Sequence, residues 1–219
     1  MKITTPVIPA RAHLEAFFSR VNPVRGRIIL AIDATASRER TWDAASHLQA
    51  QMFETVAAIG GLDVQLVYFR GYGECVASHW QSDGKSLAAV MSRVTCAAGH
   101  TQIRKVLAHT RKENAREKVS GLIVVSDACE EVPIDLYAEA RELGVPVFAF
   151  QEGNDGHVGK IYTEIARITG GAHCKFDAGA AQRLADLLKA VAAFAAGGIR
   201  ALADQRTVAA RLLLTQVRK

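Results

Sequence analysis

The strongest constraint on this chain is an alternation. Short, nearly unbroken apolar runs are separated by stretches in which apolar residues recur at helical spacing. Arg27–Ile32 (RIILAI), Asp63–Phe69 (DVQLVYF), Gly121–Ser126 (GLIVVS) and Val145–Phe150 (VPVFAF) have strand length and composition, and His173–Phe176 reads as a short last strand. Gly71-Tyr72-Gly73 turns the second run back into Glu74–Trp80, which predicts a hairpin and an antiparallel edge. Between the runs, Ala45, Leu48, Met52, Val56 and Ile59 follow Thr41 on one helix face, and Gly60-Gly61 stops them. Further helices are expected near Lys85–Val94 and Gln102–Asn114, and from Pro133 to Gly144. Val158, Ile161, Ile165 and Ile168 mark another, and Leu184, Leu187, Leu188, Val191 and Phe194 a long last one. Strands alternating with helices predict an α/β fold, a mainly parallel sheet covered on both faces.

The chain has 219 residues, a length for about one domain. With 49% hydrophobic residues it can build a core, which excludes intrinsic disorder. The formal charge is +5, but the segment from Ile199 onward holds five basic residues against the single acid Asp204. The body is nearly neutral, so the basic balance belongs to a tail and makes no case for a nucleic-acid-binding face. We read residues 1–24 as an N-terminal extension, 25–196 as the domain and 197–219 as a basic helical extension beyond Gly197-Gly198. Ile199, Leu202, Ala209, Leu212 and Leu213 fit an amphipathic helix that packs on the body or supports self-association. No apolar run approaches the roughly 20 residues of a membrane-spanning helix. Four cysteines without a CxxC pair read as buried free thiols, and a cytoplasmic location is expected.

In parallel α/β sheets ligands collect at the carboxyl ends of the strands. Asp33 closes the first run there, and Asp127 closes Gly121–Ser126, the fourth strand when the hairpin return is counted. After the first run the chain reads Asp33-Ala34-Thr35-Ala36-Ser37, three oxygen-bearing side chains alternating on a loop. Gly99-His100-Thr101 offers another hydroxyl before a helix. Hard oxygens in this number suit Mg²⁺, with Mn²⁺ or Ca²⁺ as substitutes. Neutral hydroxyls leave such a cation electrophilic and wanting an anionic partner.

These residues resemble the metal-ion-dependent adhesion site of von Willebrand factor A domains, and the likeness spans roughly Arg25 to Ala196. It implies a Rossmann-like, doubly wound, six-stranded sheet with one antiparallel edge strand. It implies that Thr35, Ser37 and Thr101 hold the metal through hydroxyls, while Asp33 and Asp127 act directly or through water. It also implies a protein partner that offers an Asp or Glu carboxylate, without catalysis. Two positions depart from the family pattern: Thr35 stands where serine is common and His100 where glycine is frequent, and both departures leave the oxygen ligands in place. Arg38 and Arg40 follow the loop directly and are expected either to shape the approach of an acidic ligand or to form a solvated helix start, and Trp42 is expected either at the rim of the site or in the core.

D-x-T-x-S also resembles the nucleophile loop of haloacid-dehalogenase-like phosphoryl-transfer enzymes. There Asp33 would be the nucleophile, Asp127 the Mg²⁺ ligand and Lys105 or Lys118 the neutralising cation. Thr35 stands where those enzymes commonly carry a second acid, and Glu130 and Glu131 are poorly spaced for their acid pair. Gly84-Lys85-Ser86 imitates the end of a phosphate-binding loop, but His79 occupies the position of the required first glycine.

Overall fold

The structure is a computed structural model and describes residues 25–39, 42, 61–176 and 181–217. Its strands are β1 (Gly26–Asp33), β2 (Leu62–Arg70), β3 (Glu74–Gln81), β4 (Gly121–Ser126), β5 (Val147–Glu152) and β6 (Ala172–Phe176). They form one six-stranded sheet in the order β3-β2-β1-β4-β5-β6. Only β3 runs antiparallel, paired with β2 across the Gly71–Gly73 turn. The helices are α1 (Gly84–Met91), α2 (Ile103–Arg116), α3 (Pro133–Leu143), α4 (Gly156–Thr169), α5 (Ala181–Asp204) and α6 (Val208–Val217). This is the expected doubly wound α/β architecture with one antiparallel edge strand.

The continuity of the apolar runs follows from burial on both faces of the sheet. All eight residues of β1 are buried. Ile28, Leu30 and Ile32 face a core completed by α1, α5 and α6. Ile29 and Ala31 face a second core with α2, α3 and α4. Trp42 belongs to the first core: it is buried and stands edge-on to Tyr68 at 6.3 Å. Of its two expected places the core is the one it takes.

The helical spacing from Ala45 to Ile59 lies outside the described residues, as do residues 1–24. Gly197-Gly198 marks a kink: Gly198 has φ 66° and ψ −160°, and α5 continues past it in a new direction. Leu202, Ala209, Ala210 and Leu213 are buried in the first core. Residues 199–217 therefore pack on the body. Gln216 of α6 donates to the carbonyl of His173 and accepts from its N–H, which caps part of the outer edge of β6.

Candidate metal centre

Register brings the two acidic strand ends together. β1 and β4 pair in parallel with Ile32 opposite Val125, which puts Asp33 beside Ser126 one step further on. The Asp33 side chain is fully buried. One carboxylate oxygen accepts from the backbone N–H of Thr35 at 2.8 Å, the other from the Ser126 hydroxyl at 2.6 Å. Burial pushes the Asp33 carboxyl above its ordinary pKa despite these bonds, and the neighbouring charge of Asp127 pushes the same way.

After Asp33 the backbone stays extended through Thr35 (φ −71°, ψ 159°), then makes one 3₁₀ turn over Ala36–Arg38. This brings the Thr35 and Ser37 hydroxyl oxygens to 3.3 Å. The side chains of Arg38 and Arg40 lie outside the described residues.

Thr101 is buried and tied to the loop after β4 by three hydrogen bonds. Its N–H and hydroxyl both donate to Glu130 Oε2, at 3.0 and 2.7 Å, and the Glu130 N–H donates back to Thr101 Oγ1 at 3.2 Å. Burial works against the Glu130 carboxylate, but the bonds from Thr101 outweigh it and hold the pKa below the usual value. Glu131 supplies the N-terminal cap of α2, accepting from the N–H groups of Ile103 at 2.5 Å and Arg104 at 2.9 Å. Two consecutive glutamates thus lace one loop to the next.

The loop carrying Thr101 is also held from the hairpin side. Its His100 N–H donates to the Gly71 carbonyl at 3.0 Å. A Cβ on Gly99 would lie 2.2 Å from the Gly71 backbone, so only glycine permits this approach.

Asp33, Thr35, Ser37, Thr101 and Asp127 line a single cavity of about 240 Å³, with Glu130 on the same wall and Ala36, Ala98, Gly99 and Ala128 between them. Sequence reasoning missed two contributors. Glu130 was visible only as half of a poorly spaced acid pair. Ser126, the polar last residue of an otherwise apolar strand, acquires meaning only once the register puts it against Asp33.

The donor set is hard oxygen, which fits a divalent cation of the Mg²⁺ or Ca²⁺ kind. Among the described residues no three His, Cys, Asp or Glu side chains form a ready ligand group, so an ion here would draw on the hydroxyls. Thr101 suits that demand: its proton goes to Glu130 and one lone pair to the Glu130 N–H, leaving the other for a cation.

Neither lysine of the phosphoryl-transfer reading lines the cavity with Asp33 and Asp127. Lys105 spends its ammonium on the Gly73 carbonyl at 2.7 Å. Lys118 precedes the start of β4, at the opposite edge of the sheet. Gly84-Lys85-Ser86 simply opens α1, with Asp83 capping through the Ser86 N–H at 2.8 Å.

No protein-family model and no curated protein matches the chain. Solved structures do resemble it. A von Willebrand factor type A protein from Catenulispora acidiphila superposes with a TM-score of 0.64 at 17% identity, covering 79% of this chain and 43% of that one. The vWF domain of the type V pili tip protein Mfa5 from Porphyromonas gingivalis gives 0.59 at 11%, covering 78% and 94%. The SpRpn10 VWA domain gives 0.57 at 11%, covering 74% and 95%. The chain spans less than half the length of the first and nearly all of the other two. Strand order, antiparallel edge and these superpositions together establish that the chain has the fold of von Willebrand factor A domains.

Proposed function

We propose that this chain is a divalent-cation-dependent protein-recognition module. Asp33, Thr35, Ser37, Thr101 and Asp127 would hold Mg²⁺, with Mn²⁺ or Ca²⁺ as substitutes. When bound, the ion supplies a Lewis-acid contact for an Asp or Glu carboxylate of a partner protein. The observation that carries this reading is the convergence of five oxygen-bearing residues from three loops on one small cavity.

The protein's own residues prepare that cavity. Thr35 N–H and the Ser126 hydroxyl fix both oxygens of Asp33. Glu130 fixes Thr101, a positioning role that needs no contact with the ion. The likeness to interaction domains supports a binding role without catalysis. No observation favours phosphoryl transfer. Four cysteines outside any disulfide, with burial pushing the thiols of Cys75 to about 11 and of Cys129 and Cys174 to about 12, support a reducing, cytoplasmic setting.

The test is capture of partner proteins by the full chain in Mg²⁺ and again in excess chelator. Capture should need the cation and should be lost in Asp33→Ala and Ser37→Ala while the circular dichroism spectrum is unchanged. Capture that persists undiminished in chelator contradicts the mechanism.

A further inference from the structure

The walls of the cavity are hydroxyl, carboxylate, glycine and alanine. Its surroundings have a different character. Six large apolar side chains are exposed among the described residues, and three of the four most exposed lie at the carboxyl edge of the sheet: Tyr72 (87%) in the β2–β3 turn, and Val132 (58%) and Ile134 (64%) at the start of α3. Single exposed apolar residues are ordinary on any surface. Three of them at the edge of the sheet that carries one polar cavity fit a recognition surface.

Their placement follows from contacts already described. Tyr72 occupies the β2–β3 turn, with its ring edge-on to His100 at 5.3 Å. The two neighbours of His100, Gly99 and Thr101, line the cavity. On the other side Glu130 lines it, and Val132 follows two residues later as the N-cap of α3, with Ile134 in the first turn. The three bonds between Thr101 and Glu130 tie the two sides together, so the rim is set before a partner arrives.

We infer that this rim reads the residues on either side of the partner's acidic residue, so that the partner is a protein segment whose Asp or Glu lies between apolar side chains. The inference rests on the cation-dependent reading above and narrows it. A cavity of about 240 Å³ has room for an ion and one carboxylate side chain but not for a peptide. The flanking residues must therefore lie over the rim, where Tyr72, Val132 and Ile134 offer apolar area.

The experiment uses phage-displayed random peptides with one fixed aspartate, selected on the immobilised full chain in Mg²⁺ and in chelator. The inference expects a Mg²⁺-dependent pool enriched in Leu, Ile, Phe or Tyr beside the aspartate. Tyr72→Ser/Val132→Ser/Ile134→Ser should retain that pool at least tenfold less well, with Mg²⁺ affinity by calorimetry unchanged. A Mg²⁺-dependent pool with polar or random flanks overturns the inference and leaves the cation-dependent reading intact. A pool equal in Mg²⁺ and chelator overturns both. Self-association in sedimentation that the triple variant abolishes would assign the rim to a second copy of this chain and overturn the inference.

Discussion

Asp33 is held where a carboxylate is costly. It is fully buried at the end of β1, and burial raises its pKa despite bonds from Thr35 and Ser126. Burial beside a like charge is an arrangement common at functional sites and also found in structural networks. Asp33→Asn keeps the shape and removes the charge. The Asn carbonyl would still accept from Thr35 N–H, and its amide could donate to Ser126, whose hydroxyl also lies 3.1 Å from the Ala128 carbonyl. In chelator the variant should melt a few degrees above the parent, equivalent to about 1 kcal/mol for a domain of this size. It should gain nothing from added Mg²⁺, where the parent is stabilised. Differential scanning calorimetry checks both, and an Asp33→Asn variant less stable than the parent in chelator would contradict the charge-burial argument. The five candidates, which line one cavity, were singled out from the alternation of Asp33, Thr35 and Ser37 after one strand, from Asp127 at the end of another and from Thr101 before a helix. Glu130 and Ser126 were not, because their roles depend on which strand ends become neighbours.

At the scale of elements, loops are held by carboxylates from other loops. The α2 N-terminus has Gln102 at the N-cap with no side-chain capping bond, and Glu131 from the loop after β4 satisfies the Ile103 and Arg104 N–H groups instead. Thr101, which a local reading would make the cap, is thereby left to face the cavity. Glu131→Ala should cost about 1–2 kcal/mol in chemical denaturation, the usual range for losing a cap. It should also weaken Mg²⁺ binding by disturbing Thr101. Unchanged stability would remove the cap from the account. Most elements could be read from periodicity: the strand runs match β1, β2, β4 and β5 to within a residue or two. The cap could not be read, because a non-local partner about thirty residues away leaves no signal in the helix sequence. The kink at Gly198 is a similar case. Gly197-Gly198 reads locally as a break, whereas packing of Leu202 and Leu213 on the core keeps the helix going in a new direction.

For the whole molecule, the sheet order makes the site. Parallel pairing of β1 with β2 and β4 brings three carboxyl-end loops to one edge, and α2 and α3 start from that edge. No described helix is long and apolar enough to cross a membrane. The central claim is that the loops carrying Asp33, Thr101 and Asp127 form one divalent-cation site with hydroxyl ligands, and isothermal titration calorimetry of the full chain with Mg²⁺ and Mn²⁺ tests it most directly. The account predicts one saturable site per chain for both ions, lost in Asp33→Ala and weakened at least tenfold in Ser37→Ala and Thr101→Val. A flat titration of the folded parent chain with both ions, or binding that survives all three substitutions, would contradict it.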